Sequence, residues 1–546
     1  MTNLKAAMPF SAPKDAAPAS RSATIIPWLG RNLTAGRVFA IGAAIYLLVC
    51  AVAFFIVRPT MQLYFADYWE HRAIVTEIMR AGANPFDPIY GEAATSRQYT
   101  PWSFALAALA RVSGGRVDMA MAWGAMAVSA LFVFGVYDFA RIFYRHRWAP
   151  ALLLAALTCA WGAPPLIWTG FYAFRSQLHG NYYPASLVFS LTFVAWAATL
   201  RLLRSQSLDA VSAAVLFAVV AISVITHPLN AVFLLAGAGA LALFDAGVAT
   251  ARRAVVLAIL GLGIAASGFW PYFDPLSLGG AGLVRGQATF NNFPFFYDPL
   301  FVTTLIWPAL LALFGLPGFL RDPGMRMPLL ALGFTAFAYV AGGIADISVS
   351  HRLLAYIALA LQLLLVKGAI GLIDGRPVAM LDQLSSLNRR TLRVAAILLI
   401  LAQTGFAVQQ LFSPWANASG YPTYPVDADT RRVVATLPPG ARILGWDSAA
   451  LVMPSHGVKV AAFPRPMPLS PSDPARQADY ARFFARGTPH CERLAIVRRW
   501  HVTHIAYLTI ELDQRVQREL QAMGPATSPI SPWRLIPVSQ PNATNC

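Results

Sequence analysis

The sequence predicts an all-α polytopic membrane protein of about 11 transmembrane helices, followed by a small α/β domain. Three observations predict it. Hydrophobic residues make up 57% of the 546 residues and charged residues only 12%, about half the roughly 25% usual in soluble domains. Mean hydropathy is +0.54, and the apolar residues fall in runs of about 17–23, the length that crosses a hydrocarbon core. The last 135 or so residues instead alternate short apolar runs with helical patterns. A water-soluble fold cannot hide so many full-length apolar helices, whereas a bilayer can. Disorder, a disulfide scaffold and a soluble nucleotide-binding enzyme are excluded as descriptions of the bulk.

Residues 1–35 form a polar tail with Lys5, Lys14, Arg21 and Arg31. Lacking an early apolar core and a cleavage site, the tail reads as a disordered cytoplasmic extension rather than a signal peptide. Residues 36–411 form the membrane domain, with spans expected at 36–57, 118–141, 149–168, 184–203, 208–226, 229–246, 254–270, 302–320, 327–345, 353–372 and 392–411. One set of connections carries Arg141, Arg145 and Arg147, then Arg201 and Arg204, Arg252 and Arg253, Arg321 and Arg326, and Arg376 to Arg393. The short loops of the other set hold only Arg175, Arg285 and Arg352. By the positive-inside rule the N-terminus is cytoplasmic. An odd number of spans then places the C-terminal domain, 412–546, outside the inner (cytoplasmic) membrane. The same rule accounts for the net charge of +17. No basic block is interleaved with aromatics, so a nucleic-acid partner is not expected.

Within 412–546, strands are expected at Ala441–Trp446, Val458–Phe463, Val502–Thr509 and Trp533–Ser539. Helices are expected at Thr430–Thr436, Pro474–Arg486, Pro489–Trp500 and Glu511–Met523. Cys50 and Cys159 fall in spans and are expected to pack there. Cys491 and Cys546 fall outside, where a disulfide would persist. Gly261 and Gly263 begin a pattern like a dinucleotide loop, but no strand precedes them and helix packing explains them better. Asp427 and Asp429 have metal-pair spacing, yet stand before a helix, where Asp is the expected cap. His501 and His504 enter a strand, and a spacing of three puts them on opposite faces.

The large first outside loop, 58–117, is the most informative segment. Residues Asp67 to Arg80 read as a helix stopped by Ala81-Gly82. At about 100° per residue, Tyr68, Ile74, Val75, Ile78 and Met79 share an apolar arc. Asp67 and His71 project inside that arc, while Glu70, Arg72, Thr76, Glu77 and Arg80 gather on the opposite side. An ionisable pair on a face meant for burial costs stability unless it is paired or used. Next come Gly82-Ala-Asn-Pro-Phe86 and Tyr99-Thr100-Pro101, which opens an apolar stretch to about Val112.

This loop, with the span layout and a weaker His227-Pro-Leu signature, resembles the GT-C superfamily of membrane glycosyltransferases. The loop looks most like those of bacterial polyprenyl-phosphate-mannose and arabinose transferases. The resemblance implies a polyprenyl-phosphate sugar as donor, a glycan, lipid or protein as acceptor, and no certain cofactor. It also implies a carboxylate of the first outside loop acting as general base on the acceptor hydroxyl, with inversion. Asp67 is the candidate, with His71 or Glu70 to orient it or assist the proton transfer. Asp67 and Glu70 stand three apart, where the family's paired acidic residues stand two apart, and Trp102 replaces a second Pro. A divalent metal and the subfamily are therefore left open.

The leaving lipid phosphate needs cations at the outer interface. The candidates are Arg175 with His179, His227, Arg285, and His351 with Arg352. Two other readings compete. An O-antigen ligase or polymerase would concentrate its chemistry in a late loop. A non-catalytic transporter or assembly protein would carry charges or helix breaks at mid-membrane.

Overall fold

The computed structural model describes residues 34–61, 66–93, 96–162, 172–276, 294–347, 350–374, 389–412, 426–464, 467, 470–527 and 530–538. The expected tail as far as residue 33, Arg285, and Cys546 with its pairing to Cys491 lie outside these.

Helix α1 (Ala35–Val52) starts at Thr34, whose side chain accepts from Arg37 N at 3.3 Å, and runs on through a π turn to Val57. Then come α2 (Ala66–Ala81), α3 (Pro101–Val112), α4 (Val117–Tyr144), α5 (Ala149–Cys159), α6 (Phe174–Gly180) and α7 (Pro184–Arg204). The series continues with α8 (Ala210–Thr226), α9 (Pro228–Phe244), α10 (Thr250–Ser267), α11 (Pro299–Leu310), α12 (Arg326–Ile344), α13 (Leu354–Ile373) and α14 (Arg389–Phe412). Proline stands in the first turn of α3, α5, α7, α9 and α11. Its fixed φ suits that position, and its missing N–H has no partner there anyway.

Among the described residues, seven helical stretches are long and apolar enough to cross a membrane: Ala35–Val57, Val117–Tyr144, Pro184–Arg204, Thr250–Ser267, Pro299–Arg321, Pro323–Ile344 and Ser350–Ile373. Four shorter apolar helices accompany them, Ala149–Cys159, Ala210–Thr226, Pro228–Phe244 and Ile397–Phe406. Together these fall where the eleven apolar runs lie in the sequence.

The bundle packs around α7. A Cβ on Gly237 of α9 would meet the Trp196 ring of α7 at 2.4 Å, and Trp196 Nε1 donates to Leu234 O at 2.9 Å. The small residue lets the two backbones close until the indole bonds across the interface. Gly263 seats α10 on Val220 of α8, where a Cβ would lie 2.7 Å from Cγ1, while Gly261 faces nothing. Cys50 and Cys159 are buried and free. The arginines of the basic connections bond to helix ends. Arg204 grips Asp245 with two bonds of 2.9 and 2.8 Å, and Arg253 donates to Ala242 O and Asp245 O at the end of α9. Cations there satisfy the last carbonyls and the negative end of the helix dipole.

The C-terminal unit, residues 426–538, comprises α15 (Val426–Ala435), β1 (Arg442–Gly445), β2 (Lys459–Val460), α16 (Asp473–Phe483), α17 (His490–Arg499), β3 (His504–Leu508), α18 (Gln514–Gln521) and β4 (Trp533–Pro537), and its Ile443, Val452 and Val460 share a core with the bundle. The sheet order is β2-β1-β3-β4, with β1 parallel to β2 and β3, and β4 antiparallel to β3. Ile505, Ala506, Tyr507 and Leu508 of β3 are all buried, as expected of a strand covered on both faces. A core of Leu444, Phe483, Val497, Ile505, Leu520 and Ile536 lies under the helices.

Two expectations need correction. α15 begins at Val426, so Asp427 stands in its first turn rather than before it. Its carboxylate binds Arg72 Nη1 at 2.8 Å and His456 Nε2 at 2.9 Å instead of capping the helix. Likewise the polar side of α2 is covered. Arg72 and Glu77 are buried because the C-terminal unit sits on them, with Lys459 Nζ 2.8 Å from Glu77 Oε2.

Candidate functional site

The geometry starts with α2. Asp67 stands in the first turn, where the N-terminal end of the dipole favours negative charge. The helix stops at Gly82, which takes φ +74° and donates its N–H to Ile78 O at 2.9 Å. Arg111 Nη2, on α3, closes the same end with bonds of 3.0 Å to Ile78 O and Met79 O. Tyr68, Ile74, Val75 and Ile78 are buried, so the apolar arc faces the core as the sequence implies. Asp67 and His71 are half-buried, one turn apart.

The electrostatic neighbours of Asp67 come from distant parts of the chain. Arg352 lies in the turn of 3₁₀ helix Ser350–Leu353 that leads into α13. It is within electrostatic reach of Asp67 and Arg97, and of the hydroxyls of Tyr356 and Tyr172. His227, between α8 and α9, is in turn within reach of Arg352, Arg97 and His71. Asp67, His71, His227 and Arg352 therefore share one neighbourhood with the exposed Arg97.

The chemistry of His227 is set by α9. Its Nδ1 accepts the N–H of Asn230 at 3.3 Å, capping the helix that Pro228 opens. A ring whose Nδ1 accepts carries its proton on Nε2. Burial, then the charges of Arg352 and Arg97, push its pKa down to about 3, so the imidazole is a neutral donor. Asn230 Nδ2 donates to Tyr172 OH at 3.0 Å, and Tyr356 OH donates to Asn230 Oδ1, which fixes both phenols beside Arg352.

The other sequence candidates, and His71 itself, have contacts of their own. Glu70 is buried and accepts from Gln98 Nε2. His71 packs its ring on Tyr183, with centroids 5.3 Å apart. His351 is buried and stacks on Phe296 at 4.9 Å. Neighbours in a 3₁₀ turn point about 120° apart, which is why His351 and Arg352 part company. His179, on α6, takes Arg58 Nη2 on Nε2 at 2.7 Å. The same Arg58 nitrogen also lies against Nδ1; burial and the Arg58 charge hold His179 well below its usual range.

Arg175, also on α6, is 3% exposed, yet among the described residues its guanidinium makes no hydrogen bond or ion pair. Burial alone pushes its pKa down to about 10. Among the described residues no group of three or more His, Cys, Asp or Glu is placed to hold a metal ion.

Sequence reasoning missed Arg97 and Arg58. Arg97 stands two residues before the Tyr99-Thr100-Pro101 motif, and that proximity was the only signal for it. Arg58 closes the first span, a position that reads as an interfacial anchor, and it is 1% exposed.

No protein-family model matches the chain, and no characterised protein sequence does. Solved structures do. ArnT from Cupriavidus metallidurans bound to undecaprenyl phosphate superposes with a TM-score of 0.54 at 13% identity, covering 92% of this chain and 98% of that one. The mycobacterial arabinofuranosyltransferase AftD gives 0.54 at 16%, covering 88% of this chain and 36% of that one. The Archaeoglobus fulgidus oligosaccharyltransferase tethered to an acceptor peptide gives 0.50 at 13%, covering 87% and 69%. Two of the three are named as transferases of sugars or oligosaccharides, and ArnT holds a polyprenyl phosphate. A helical bundle with an acidic helix after its first apolar stretch and a C-terminal sheet is thus a fold that this chain shares with these three proteins.

Proposed function

We propose that the protein transfers a sugar from a polyprenyl-phosphate donor to an acceptor at the extracytoplasmic face of the cytoplasmic membrane. The chain crosses eleven times, with its N-terminus inside and residues 412–546 outside. Asp67 takes the proton of an acceptor hydroxyl as that oxygen attacks the anomeric carbon. The bond from that carbon to the phosphate oxygen breaks, the configuration inverts, and the polyprenyl phosphate leaves with the bonding pair. Arg352 binds the phosphate through its fork of donors, helped by Arg97 and the Nε2–H of His227. Arg175 is the further phosphate ligand. Glu70, held by Gln98, and His71, on Tyr183, orient the helix and its carboxylate. His179 and His351 support the wall of the site through Arg58 and Phe296.

The observation that carries this reading is the convergence of Asp67 with Arg352, Arg97 and His227. A base and an anion site must lie on either side of the reacting carbon, and these residues come from four separate segments. The fold supports it too, because ArnT was crystallised with undecaprenyl phosphate. The experiment is transfer by membranes containing the protein from a panel of labelled polyprenyl-phosphate sugars. Asp67→Asn keeps the shape and removes the base, so it should abolish transfer at unchanged protein level. Near-normal activity in that variant removes Asp67 from the reaction.

A further inference from the structure

Asp67 and Arg72 lie on different sides of one helix. Five residues at about 100° each put Arg72 roughly 140° from Asp67 and about 7.5 Å further along the axis. Arg72 has partners on two other segments. Nη1 donates to Asp427 Oδ1 at 2.8 Å and to Ser455 Oγ at 3.2 Å. Nε lies 2.8 Å from Asp118 Oδ1, and Nη2 donates to Asp118 Oδ2 at 3.2 Å. His456 Nε2 bonds the same Asp427 oxygen at 2.9 Å, and Tyr68 OH donates to Asp118 Oδ1 at 2.8 Å. One guanidinium thus ties α2 both to α4 and to the C-terminal unit.

The contact continues along the helix. Thr76 Oγ1 donates to Ser455 O at 3.4 Å, and Lys459 Nζ reaches Glu77 Oε2 at 2.8 Å. The chain after α2 is held as well. Lys459 Nζ donates to Pro88 O at 3.1 Å, Val460 N to Ile89 O at 3.0 Å, and Tyr90 OH to Asp473 Oδ1 at 2.6 Å. Arg476 bonds Glu92 and lies over the Tyr90 ring, 4.5 Å from its centroid.

We propose that the C-terminal unit is a clamp that sets the position of Asp67 and His71, with Arg72, Asp427, Glu77 and Lys459 as its positioning residues. The proposal rests on the reading of Asp67 given above. α2 lies in the connection between two spans, and its Asp67 side must stay open to substrate. The apolar arc beside Asp67 rests on the core, and the polar side of the helix is fixed by α4 and the C-terminal unit. Catalytic groups must be held to within about 0.5 Å, and a misplacement of about 1 Å can cost on the order of 100-fold in rate. Buried charge pairs suit such a role, because they fix one register more sharply than apolar contact does.

The test uses the full-length protein in detergent or nanodiscs, with two readouts. Hydrogen exchange across residues 66–81 reports the clamp without needing a substrate. Steady-state transfer from whichever polyprenyl-phosphate sugar the wild type accepts reports its consequence. Asp427→Asn should speed exchange in α2 while the amides of α4 keep their protection. Turnover should fall 10- to 100-fold with KM for the donor nearly unchanged. Glu77→Lys and Lys459→Glu should each lower turnover, and the double variant should recover most of it, which a general loss of folding would not do. Unchanged exchange in α2, or faster exchange with full turnover, or no recovery in the exchanged pair, would overturn the clamp. A wild type that transfers no sugar from any such donor sinks the glycosyltransferase reading itself, and the clamp's catalytic role goes with it. An active wild type with indifferent variants sinks the clamp alone.

Discussion

Arg175→Met separates a ligand site from a structural residue by sign. The guanidinium is almost wholly buried and, among the described residues, has neither hydrogen bond nor ion pair. Its pKa falls from 12.5 to about 10 through burial alone. At about 1.4 kcal/mol for each pKa unit, holding this charge costs the empty protein roughly 3 kcal/mol. Methionine has similar length, carries no charge, and adapts to irregular gaps. The empty Met variant should therefore melt higher than the wild type, by at most that 3 kcal/mol. The order should invert on adding undecaprenyl phosphate. A ligand at about 1,000 times its Kd stabilises by roughly 4.1 kcal/mol, and the Met variant should lose most of that shift. The assay is thermal unfolding in detergent with the lipid phosphate titrated in, using undecaprenol, the same lipid without phosphate, as the blank. If the Met variant melts lower when empty and keeps the full lipid-phosphate shift, Arg175 is part of the scaffold and the reasoning fails.

Further outcomes follow from other residues. Arg352→Lys keeps the charge and loses the planar fork, so turnover should fall nearly as far as in Arg352→Ala; full activity with Lys would mark a mere anchor. In the C-terminal unit, burial and the neighbouring Asp447 raise the Glu511 carboxyl to about 7, against hydrogen bonds from Ser448. A raised carboxyl pKa means stability that is complete below about pH 4.3 and lost as pH rises through 7, roughly 3 kcal/mol at most. Melting of the unit should therefore decline between pH 5 and 8, and Glu511→Gln should flatten that slope. Gly237→Val would drive a branched side chain into the Trp196 indole, where even a Cβ lies at 2.4 Å; a loss of about 1–3 kcal/mol or failed insertion is expected, read by the yield of folded protein.

Spans and strands were legible because each rests on a local period. The apolar runs around 184–203 and 254–270 become α7 and α10, and the short apolar run within 502–509 becomes β3. The acidic helix was legible for the same reason, since Asp67 and His71 stood out on an apolar arc. What the sequence concealed is pairing across distance. Asp427 looked like a helix cap because nothing nearby in the chain reveals Arg72, 355 residues earlier. Arg97 looked like any loop arginine, since its value comes from meeting Arg352 and His227 in space. His351 and Arg352 looked like one unit, but a tight turn sends their side chains to different neighbours.

The bond from Val460 N to Ile89 O has a consequence for the order in which the protein is made. The helix bearing Asp67 leaves the ribosome with the first span, while the strand and charges that cover it arrive more than 350 residues later. At roughly 5–20 residues per second, that is a wait of some 20–70 seconds. Through that interval Arg72 and Glu77 stand uncovered by their late partners. A chain stopped after its last span would thus be inserted and helical yet hold an unfinished first loop. The polar side of this helix is covered only once the segment from Asp427 to Arg476 has been made.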